Sequence, residues 1–466
     1  MKKQVFNPYL PSYEYVPDGE PRVFNNRLYI FGSHDRFNGT EYCQNDYVCW
    51  SAPEDDLSDW RFEGVIYRKD QHLGTEKGNL YAPDVIQGKD GRYYLFYSVA
   101  NSSIMSVAVC DEPAGQYQYY GEVKTSDGEI LGAKEGDYFQ FDPSVFIDDD
   151  GEIYVYSGFC GRKLQDEKGR LFIGAFFFTL EDDMLTVKRM PEVLLSRDDC
   201  PDGAKFFEAS SMRKIDGTYY FVYSARITGL HYCTSKYPDK GFVYRGRIHS
   251  SSDIGLNGYT AENPAYPEGN THGGIVNIKG QYYIFDHRFS NGTSFCRQGV
   301  AEPIEIQKDG TIKQVEATSC GLNGGPLIGK GKYPVYIACN LIDYTEYETK
   351  EEKKKRKPFL TQSGEDRESG ENQYLANFHD NCVVGFKYFK LNELENISIQ
   401  VRGKAKGKIL ISLKENAEHI ASVDVDINCN DWVNISCDTE KMSGVNALFF
   451  RYFGDGVIEI NSFELK

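Results

Sequence analysis

Five ionisable side chains occupy equivalent positions in a repeated sequence pattern, and their types suit acid–base chemistry. Each lies 10 to 12 residues before a tyrosine that recurs along the chain; they are Asp18, Asp84, Asp142, Glu208 and His272. If the fold brings them into one pocket, burial and like-charge repulsion will shift their pKa values, and such shifts are common at functional sites. Two carboxyl groups in such a pocket can protonate a leaving group and activate a water molecule.

The repeated unit is a β-hairpin of two apolar strands joined by a short turn. The turns contain Asn-Asn, Asp-Gly or Lys-Gly, which favour the positive φ angles of two-residue hairpin loops. A strand-only repeat of this length predicts the blades of a β-propeller, in which the first strand of each blade lines the central axis. An ordinary β-sandwich is the alternative. Successive repeats lie 65, 60, 66 and 63 residues apart, measured between Tyr29, Tyr94, Tyr154, Tyr220 and Tyr283.

Each ionisable residue also has a purely structural interpretation. Asp18 lies in a Pro-Asp-Gly turn signal, and Asp84 and Asp142 are compatible with caps or strand ends. His272 alone would be a hydrogen-bonded loop histidine more often than a ligand. Glu208 follows two phenylalanines, so a plain surface role fits it poorly. Their shared phase in the repeat, rather than any single motif, favours a functional role for all five.

Length and composition limit the number of domains, the kinds of partner and the cellular location. The 466 residues exceed one ordinary core, so we expect two domains, and the length also allows three. The net charge of −17 argues against nucleic acid or an anionic membrane surface as a partner. No window approaches 18 apolar residues, and the opening stretch lacks the apolar run of a signal peptide. Twelve irregularly spaced cysteines without a CxxC pair fit reduced, buried thiols better than disulfides or a zinc site, so we expect a soluble, cytoplasmic protein.

Separated carboxylates and aromatic walls suit the cleavage of glycosidic bonds. That reaction needs one acid to protonate the leaving oxygen and one carboxylate to activate water or attack the anomeric carbon. A third carboxylate can keep the pKa of the acid high by repulsion. The expected partner is therefore an oligosaccharide substrate. An oligomer is compatible with the sequence but is not indicated by it.

Five segments follow one another along the chain: "PDGEPRVFNNRLYIFGSHD", "YAPDV", "FDPSVFIDDDGEIYVYSG", "FFEASSMRKIDGTYYFVYS" and "NTHGGIVNIKGQYYIFDHR". Together, in this order, they resemble glycoside hydrolase family 43. The resemblance covers roughly residues 7 to 315 and implies an inverting, exo-acting hydrolase on a five-bladed propeller. Its substrates would be terminal β-xylosyl or α-L-arabinofuranosyl units of plant-derived oligosaccharides.

The resemblance implies catalytic roles by position in these motifs. Asp18 would be the general base, Glu208 the general acid, and Asp142 the carboxylate that raises the pKa of the acid and orients it. Glu20, in the same motif as Asp18, competes for the base role and is otherwise assigned to substrate binding. His272 would lie near the axis, where family members often hold a calcium ion or an ordered water. The chemistry itself would require no cofactor.

Sugar contacts are implied in the same way. Asp84 and Arg288 are candidates for binding sugar hydroxyl groups, and Tyr81 replaces a family tryptophan while keeping a stacking surface. Glu208 is followed by Ala-Ser rather than Gly-Pro, and His272 by Gly-Gly. These departures leave the reaction class intact but leave the substrate open.

The composition of the sequence changes after the last hairpin, and the hairpin repeat ends there. The predicted domains are a propeller at 1–315, a connecting segment with a charged linker or insertion at 316–380, and a β-sandwich at 381–466. Within the connecting segment, 347–358 and 361–373 are highly charged or polar and are expected to be solvated. The predicted fold class is thus all-β, a five-bladed β-propeller followed by a C-terminal β-sandwich.

The last domain shows alternating apolar and polar residues and resembles the carbohydrate-binding sandwich modules often fused to family 43 propellers. A purely structural domain that covers a propeller face is the alternative. Trp432 and Tyr452 are accordingly either sugar platforms or core residues.

Three functional hypotheses are compatible with these residues. The leading hypothesis is the exo-glycosidase. A β-fructosidase-like retaining hydrolase would also pair a propeller with a sandwich, but Phe141 before Asp142 and Ala209 after Glu208 depart from its motifs. A non-catalytic sugar-binding propeller is the third hypothesis, and an absence of turnover on every glycoside would favour it.

Overall fold

We describe a computed structural model of the chain, which covers residues 3–368, 370 and 372–466. Its first part consists of five antiparallel sheets, four of four strands and one of three. The prediction of an all-β fold with a five-bladed propeller and a C-terminal β-domain is confirmed. The blades are β1 to β4 (Glu20–Phe24, Arg27–Phe31, Tyr47–Pro53, Arg61–Tyr67), β5 to β8 (Asp84–Gln87, Tyr93–Ser98, Met105–Cys110, Gln118–Glu122), β9 to β12 (Ser144–Ile147, Ile153–Ser157, Gly174–Leu180, Val187–Ser196), β13 to β16 (Phe206–Ile215, Thr218–Ala225, Gly229–Ser235, Val243–His249) and β17 to β19 (Ile275–Ile278, Gln281–Ser290, Thr293–Ile304).

The first two strands of every blade form the hairpin that the sequence repeats. The five recurring tyrosines lie on β2, β6, β10, β14 and β18. In three hairpins both central turn residues have positive φ, at Asn25-Asn26, Asp216-Gly217 and Lys279-Gly280. Two-residue turns with this backbone match the twist of the strands they join, which explains why these residue types recur there.

The propeller core is divided into clusters that lie between neighbouring blades. Residues of blades one and two share one cluster, and the pairs two–three, three–four and four–five share three more. A further cluster joins Leu28 and Ile30 of blade one to Val276 and Phe285 of blade five. Both faces of each sheet are therefore covered only because the ring closes.

The C-terminal β-domain has its own core and a single connected sheet system. Its strands are β20 to β24 (Leu327–Gly329, Gly331–Pro334, Asn340–Asp343, Phe359–Gln362, Gln373–His379) and the long extended segments β25 (Cys382–Ser412) and β26 (His419–Leu465). Part of β25 lies between two stretches of β26, since Ile397 pairs with both Cys437 and Leu465. The alternating residues inside these segments form one buried cluster.

The connecting segment at 316–380 differs from its interpretation as a linker. Five strands, β20 to β24, come from this stretch and join the C-terminal sheet. They are three to seven residues long, too short to show alternation in the sequence. The charged stretch 347–358 contains the single α-helix of the described residues, α1 (Lys350–Arg356). None of the helices in the described part of the chain is long and apolar enough to cross a membrane.

The polar stretch 361–373, of which the structure describes all residues except 369 and 371, is partly exposed, as expected, but some of its side chains also contact the propeller. Gln362 accepts a hydrogen bond of 2.6 Å from the hydroxyl of Tyr15 in the propeller. Arg367 forms an ion pair of 2.7 Å with Glu14, whose side chain is fully buried. These polar contacts join the C-terminal domain to the propeller. The polarity of the stretch predicts solvent exposure but does not reveal these contacts.

The two aromatic residues singled out in the last domain have different surroundings. Tyr452 is fully buried in the domain core, so it cannot be a sugar platform. Trp432 is half-buried, and the guanidinium of Arg402 lies 4.3 Å from its ring centroid. Tyr374 packs edge-on against the same indole at 5.9 Å.

Candidate active site

A cavity of about 240 Å³ opens at one end of the propeller axis. Three carboxyl groups from blades one, three and four reach it, although they are far apart in the sequence. Four of its twelve lining residues are tyrosines or phenylalanines, and most of the others are polar or charged. The lining residues are Asp18, Tyr42, Cys43, Tyr81, Ala82, Phe141, Asp142, Phe207, Glu208, Asn270, His272 and Arg297.

Unusual backbone conformations aim the three carboxyl groups into the cavity. Asp18 and Asp142, each two residues before an innermost strand, have φ angles of 56° and 48°. Glu208 lies at a β-bulge of β13, and the following Ala209 has a φ of 66°. Left-handed conformations of non-glycine residues cost about 1–3 kcal/mol each and concentrate at functional sites. The chain maintains three of them around one cavity.

Asp18 is held in its ionised form. The guanidinium of Arg297 donates a hydrogen bond of 2.9 Å to its Oδ1, and Nδ1 of His287 lies 3.3 Å from the same oxygen. Burial alone would raise the pKa of Asp18, but Arg297 and His287 lower it below its ordinary value. A carboxylate that stays ionised in a desolvated cavity can accept a proton from water.

Glu208 and Asp142 show the opposite shift. Burial and the negative charge of Asp18 raise the pKa of Glu208 to about 8. Burial and repulsion from Glu208 and Asp18 raise the pKa of Asp142 as well. The Ala209 amide donates a hydrogen bond of 3.1 Å to Asp142. Both carboxyl groups therefore keep their protons to a higher pH than ordinary carboxyl groups do.

Arg297 is the central residue of the site that the sequence did not predict. It is 2 % exposed and joins Asp18 to the fully buried Asp35, to which it donates from Nε at 2.8 Å and from Nη2 at 3.0 Å. Its guanidinium also lies 4.8 Å from the ring centroid of Tyr42, which is part of the cavity wall. Asp35 belongs to the "GSHD" segment of the first family motif, so that motif was a signal that a buried cation had to be nearby.

Part of the cavity wall is built from aromatic side chains that contact one another edge-on or at a tilt. Tyr81 packs edge-on against Phe141 at 5.8 Å. Phe159 behind them contacts Phe141 at 5.5 Å and Phe207 at 5.2 Å. Aromatic faces suit the apolar face of a sugar ring, and Tyr81 lines the cavity as the sugar-stacking interpretation requires.

His272 lines the cavity and also approaches Glu20, which is not among the lining residues. Its Nδ1 is 3.6 Å from Asp142 and its Nε2 is 3.9 Å from Glu20. The His272 Nε2, the Glu20 Oε1 and the Ser211 Oγ accept or donate no hydrogen bond within the described residues. A side chain at Gly274 would come within 2.5 Å of the Ser211 hydroxyl, so the Gly-Gly after His272 permits this close approach.

These orphaned atoms fit an ordered water or a hydrated calcium ion. Calcium prefers six to eight oxygen ligands, and the described residues offer one carboxylate oxygen, one hydroxyl and one imidazole nitrogen. Arg213 already offsets the charge of Glu20 through an ion pair of 2.6 Å. A calcium ion here would therefore take most of its ligands from water.

Glu20 lies below the cavity rather than in its wall. It is the first residue of β1 and its side chain is fully buried. Arg213 donates to Glu20 at 2.6 Å and to the Ile275 carbonyl at 2.8 Å, and so links β13, β1 and β17. Glu20 therefore does not compete with Asp18 for the base position, and the assignment of Glu20 to substrate binding does not agree with the structure.

Asp84, like Glu20, is buried and paired with an arginine, so its role is structural. Arg22 forms two hydrogen bonds to its carboxylate, and the Val145 amide donates a third at 2.8 Å. Arg22 also donates to the Val145 carbonyl at 3.0 Å, so this group joins β1, β5 and β9. The expectation that Asp84 binds sugar hydroxyl groups is wrong, because its carboxylate is fully buried and already paired.

Arg288 is likewise not a sugar contact. It donates hydrogen bonds of 2.6 Å to the carbonyls of Tyr336 and Ala338 in the C-terminal domain. A third bond of 3.1 Å goes to Gln298 on the neighbouring strand. The expectation for Arg288 is therefore wrong, since its charge is used to join the propeller to the following domain.

Comparisons with known proteins agree on one family. The sequence model of the family described as "Glycosyl hydrolases family 43" matches residues 17–312. A xylosidase/arabinosidase of Thermoclostridium stercorarium is 48% identical over 479 residues, which cover 100% of this chain and 99% of that protein.

Two solved structures are similar in fold. One is a β-xylosidase/α-arabinofuranosidase from a compost microbial metagenome, in complex with xylotriose and free of calcium. It is 27% identical with a TM-score of 0.51, over 65% of this chain and 94% of that one. The other is an arabinoxylan arabinofuranohydrolase from Bacillus subtilis in complex with cellotetraose. It is 19% identical with a TM-score of 0.52, over 99% of this chain and 97% of that one, and shows the fold alone.

Proposed function

The chain belongs to family 43 of the glycosyl hydrolases, and on that premise we propose an inverting exo-glycosidase that removes terminal β-xylosyl or α-L-arabinofuranosyl residues from oligosaccharides. One observation carries the proposal: the cavity holds a carboxylate with a lowered pKa and a carboxyl group with a pKa raised to about 8. A base that stays ionised and an acid that stays protonated at the same pH are the two groups that glycoside hydrolysis needs.

In the proposed reaction, Glu208 donates its proton to the glycosidic oxygen as the bond between that oxygen and the anomeric carbon breaks. Asp18 takes a proton from a water molecule, whose oxygen forms the new bond to the anomeric carbon from the opposite face. The product therefore has the inverted anomeric configuration. Proton exchange with solvent returns Glu208 to its acid form and Asp18 to its carboxylate form.

Asp142 is proposed as a positioning residue. Its hydrogen bond to the Ala209 amide fixes the peptide that follows Glu208. Burial and then the charge of Glu208 raise the pKa of Asp142, whereas burial and the charge of Asp18, rather than that of Asp142, raise the pKa of Glu208. The side chain of Asn270 hydrogen-bonds Glu208 and partly opposes the rise in the pKa of that carboxyl group.

The small cavity supports exo action on a single terminal sugar. Its volume of about 240 Å³ lies below the roughly 300–1,000 Å³ of pockets that hold drug-sized ligands. The relatives named above support a pentose, since the Thermoclostridium stercorarium protein is named a xylosidase/arabinosidase. The xylotriose in the metagenomic structure supports a xylo-oligosaccharide substrate.

Calcium is proposed as an accessory ion. His272 and Glu20 would supply the protein ligands, and water would supply the remainder. When bound, the ion would add positive charge near the polar end of the cavity. The protein groups that transfer protons are the same with or without it.

The proposed function is tested with nitrophenyl β-D-xyloside, nitrophenyl α-L-arabinofuranoside and xylobiose. NMR of the first-formed sugar should show α-xylose from the β-xyloside. Asp18→Asn should lose activity on every substrate, whereas Glu208→Gln should lose far more on xylobiose than on a dinitrophenyl xyloside, which needs no acid assistance. First-formed β-xylose, or full activity in both variants, would overturn the proposal.

We also propose a cytoplasmic location. All twelve cysteines are free thiols, eight of them buried, which supports a reducing compartment. Cell fractionation with an antibody against the chain tests this, and recovery from the culture medium would contradict it.

A further inference from the structure

Three potential metal ligands meet at one end of the C-terminal β-domain, away from the catalytic cavity. Asp343 ends β22, His379 ends β24 and Cys382 begins β25. Asp343 and Cys382 face each other across paired strands, and the turn from His379 to Cys382 brings the imidazole onto the same spot. Their donor atoms all lie within 4.8 Å of one another. We propose that these three residues bind one zinc-type divalent cation.

The distances suit a tetrahedral ion. His379 Nε2 lies 3.8 Å from Asp343 Oδ1 and 3.8 Å from Cys382 Sγ. Zinc–ligand bonds of about 2.0–2.3 Å at tetrahedral angles place ligand atoms about 3.5 Å apart. A contraction of a few tenths of an ångström, with a turn of the Cys382 side chain away from its 3.2 Å contact with His379 Nδ1, would complete the three-ligand set.

The imidazole is already oriented for a metal. His379 Nδ1 lies 2.7 Å from the carbonyl oxygen of Asn377, which can only accept, so Nδ1 carries the hydrogen. Nε2 therefore carries the lone pair, and the hydroxyls of Tyr347 and Thr345 lie 3.0 Å and 3.3 Å from it. Histidine ligands of metals are commonly fixed by such a bond from the other ring nitrogen.

Tyr347 offers a fourth oxygen. Its hydroxyl lies 2.5 Å from Asp343 Oδ2 and 3.0 Å from His379 Nε2. Either this hydroxyl or a water molecule at its place would complete four-coordination. Tyr347 and Thr345 are partly exposed while Cys382 is fully buried, so an ion would enter through the 344–347 loop.

The charge balance also favours a divalent ion. On binding, the Cys382 thiol releases one proton and becomes a thiolate, so that thiolate, the Asp343 carboxylate and Zn²⁺ sum to zero. A neutral set is compatible with a buried site, whereas an isolated charge is not. The mixed sulfur, nitrogen and oxygen ligands suit zinc or cobalt rather than calcium.

The sequence argument against zinc rested on the absence of a CxxC pair. This ligand set instead combines one cysteine, one histidine and one aspartate from three strands, which no cysteine spacing reveals. Asp343 also begins the segment whose Lys353, Lys357 and Phe359 line a cavity of about 720 Å³ against blade five. A bound ion would fix the root of that segment.

The test uses the full chain loaded with Zn²⁺ or Co²⁺ and freed of excess metal by gel filtration. We expect about one zinc per chain by mass spectrometry, and in the cobalt form a thiolate-to-cobalt charge-transfer band. Cys382→Ser should abolish the band and bind zinc at least about tenfold more weakly, and His379→Gln should also weaken binding. Cys437→Ser, a partly buried cysteine of the same domain, is the matched control and should keep both.

Thermal unfolding provides a second readout that does not depend on glycoside turnover. Zinc should raise the Tm of the unaltered chain and of Cys437→Ser, but not that of Cys382→Ser. Less than one tightly bound zinc in the unaltered chain, or an unchanged cobalt band in Cys382→Ser, would overturn the proposal. A Cys382→Ser chain that does not fold leaves the metal content and cobalt spectrum of the unaltered chain as the deciding measurements.

Discussion

The mouth of the propeller axis and the layer directly beneath it contain the same residue types with different partners. Asp18, Asp142 and Glu208 face the cavity, and no arginine hydrogen-bonds Asp142 or Glu208 among the described residues. Glu20 and Asp84 lie deeper, and each is paired with an arginine. Burial is nearly the same in both layers, so it does not separate reactive from structural carboxyl groups.

The difference lies in how each negative charge is compensated. A buried carboxylate with a guanidinium partner is stable as an ion and has no proton to give. A buried carboxyl group without such a partner keeps its proton to a higher pH. Asp18 combines the two cases: it faces the cavity and is paired with Arg297, which makes it the ionised member of the upper layer.

The largest expected effect is on catalysis in the upper layer. Glu208→Gln and Asp18→Asn should each lower kcat/KM on xylobiose by about 10²–10⁴-fold, because each removes one proton-transfer group. The exposed Asp149→Asn is the matched control and should leave kcat/KM unchanged. Steady-state kinetics checks this, and a loss of less than about tenfold in both variants would remove the distinction between the layers.

The lower layer should respond in stability. Glu20→Gln leaves Arg213 buried without its anion, and we expect the free energy of unfolding to fall by about 3–5 kcal/mol. Glu20→Gln combined with Arg213→Met should recover part of that loss. Urea unfolding measures both, with exposed Glu305→Gln as control. Equal stability of the single and double variants would show that the ion pair is not the cause.

The pH dependence sharpens the comparison within the upper layer. Activity requires Asp18 ionised and Glu208 protonated, so kcat/KM should fall as pH rises past about 8 and as pH falls through the lowered pKa of Asp18. Arg297→Met removes the cation that lowers the pKa of Asp18, and the acidic limb should therefore move to higher pH. An acidic limb that stays in place would argue against Asp18 as the base.

The smallest expected effect concerns the ion proposed between the layers. Because Arg213 already offsets Glu20, chelation should change kcat by less than about tenfold. His272→Asn should remove any response to added calcium while leaving a measurable basal rate. A calcium titration of kcat tests this. A complete loss of activity on chelation would mean that the ion contributes to the chemistry itself.

Repeat spacing predicted the ring of blades well, since the recurring tyrosines fall on the second strand of every blade. The same spacing identified Asp18, Asp142, Glu208 and His272, which share one cavity, and the family resemblance added Tyr81. The spacing did not distinguish the carboxyl groups that face the cavity from those in the layer beneath it. The arginines that pair with the deeper carboxyl groups come from other blades.

The sequence alone does not show whether Arg288 or Arg297 belongs to the active site. They lie on adjacent strands of one hairpin, and both are almost fully buried. One meets Asp18 and the other meets carbonyl groups of the C-terminal domain. Only the three-dimensional position of a partner far along the chain distinguishes them. The short strands of 316–380 were not predicted for a similar reason, because they are defined by pairing with distant strands. For example, β20 pairs with β25, β21 with β26 and β23 with β24.

Arg22 and Arg213, which link the innermost strands of different blades, have a consequence for evolution and engineering. Arg22 contacts β5 and β9, and Arg213 contacts β1 and β17, so together they connect the innermost strands of all five blades. The units of this repeat are therefore not interchangeable modules. A blade grafted from a relative must bring the matching cation, anion or carbonyl with it, and chimeras should succeed when neighbouring blades are exchanged as a set.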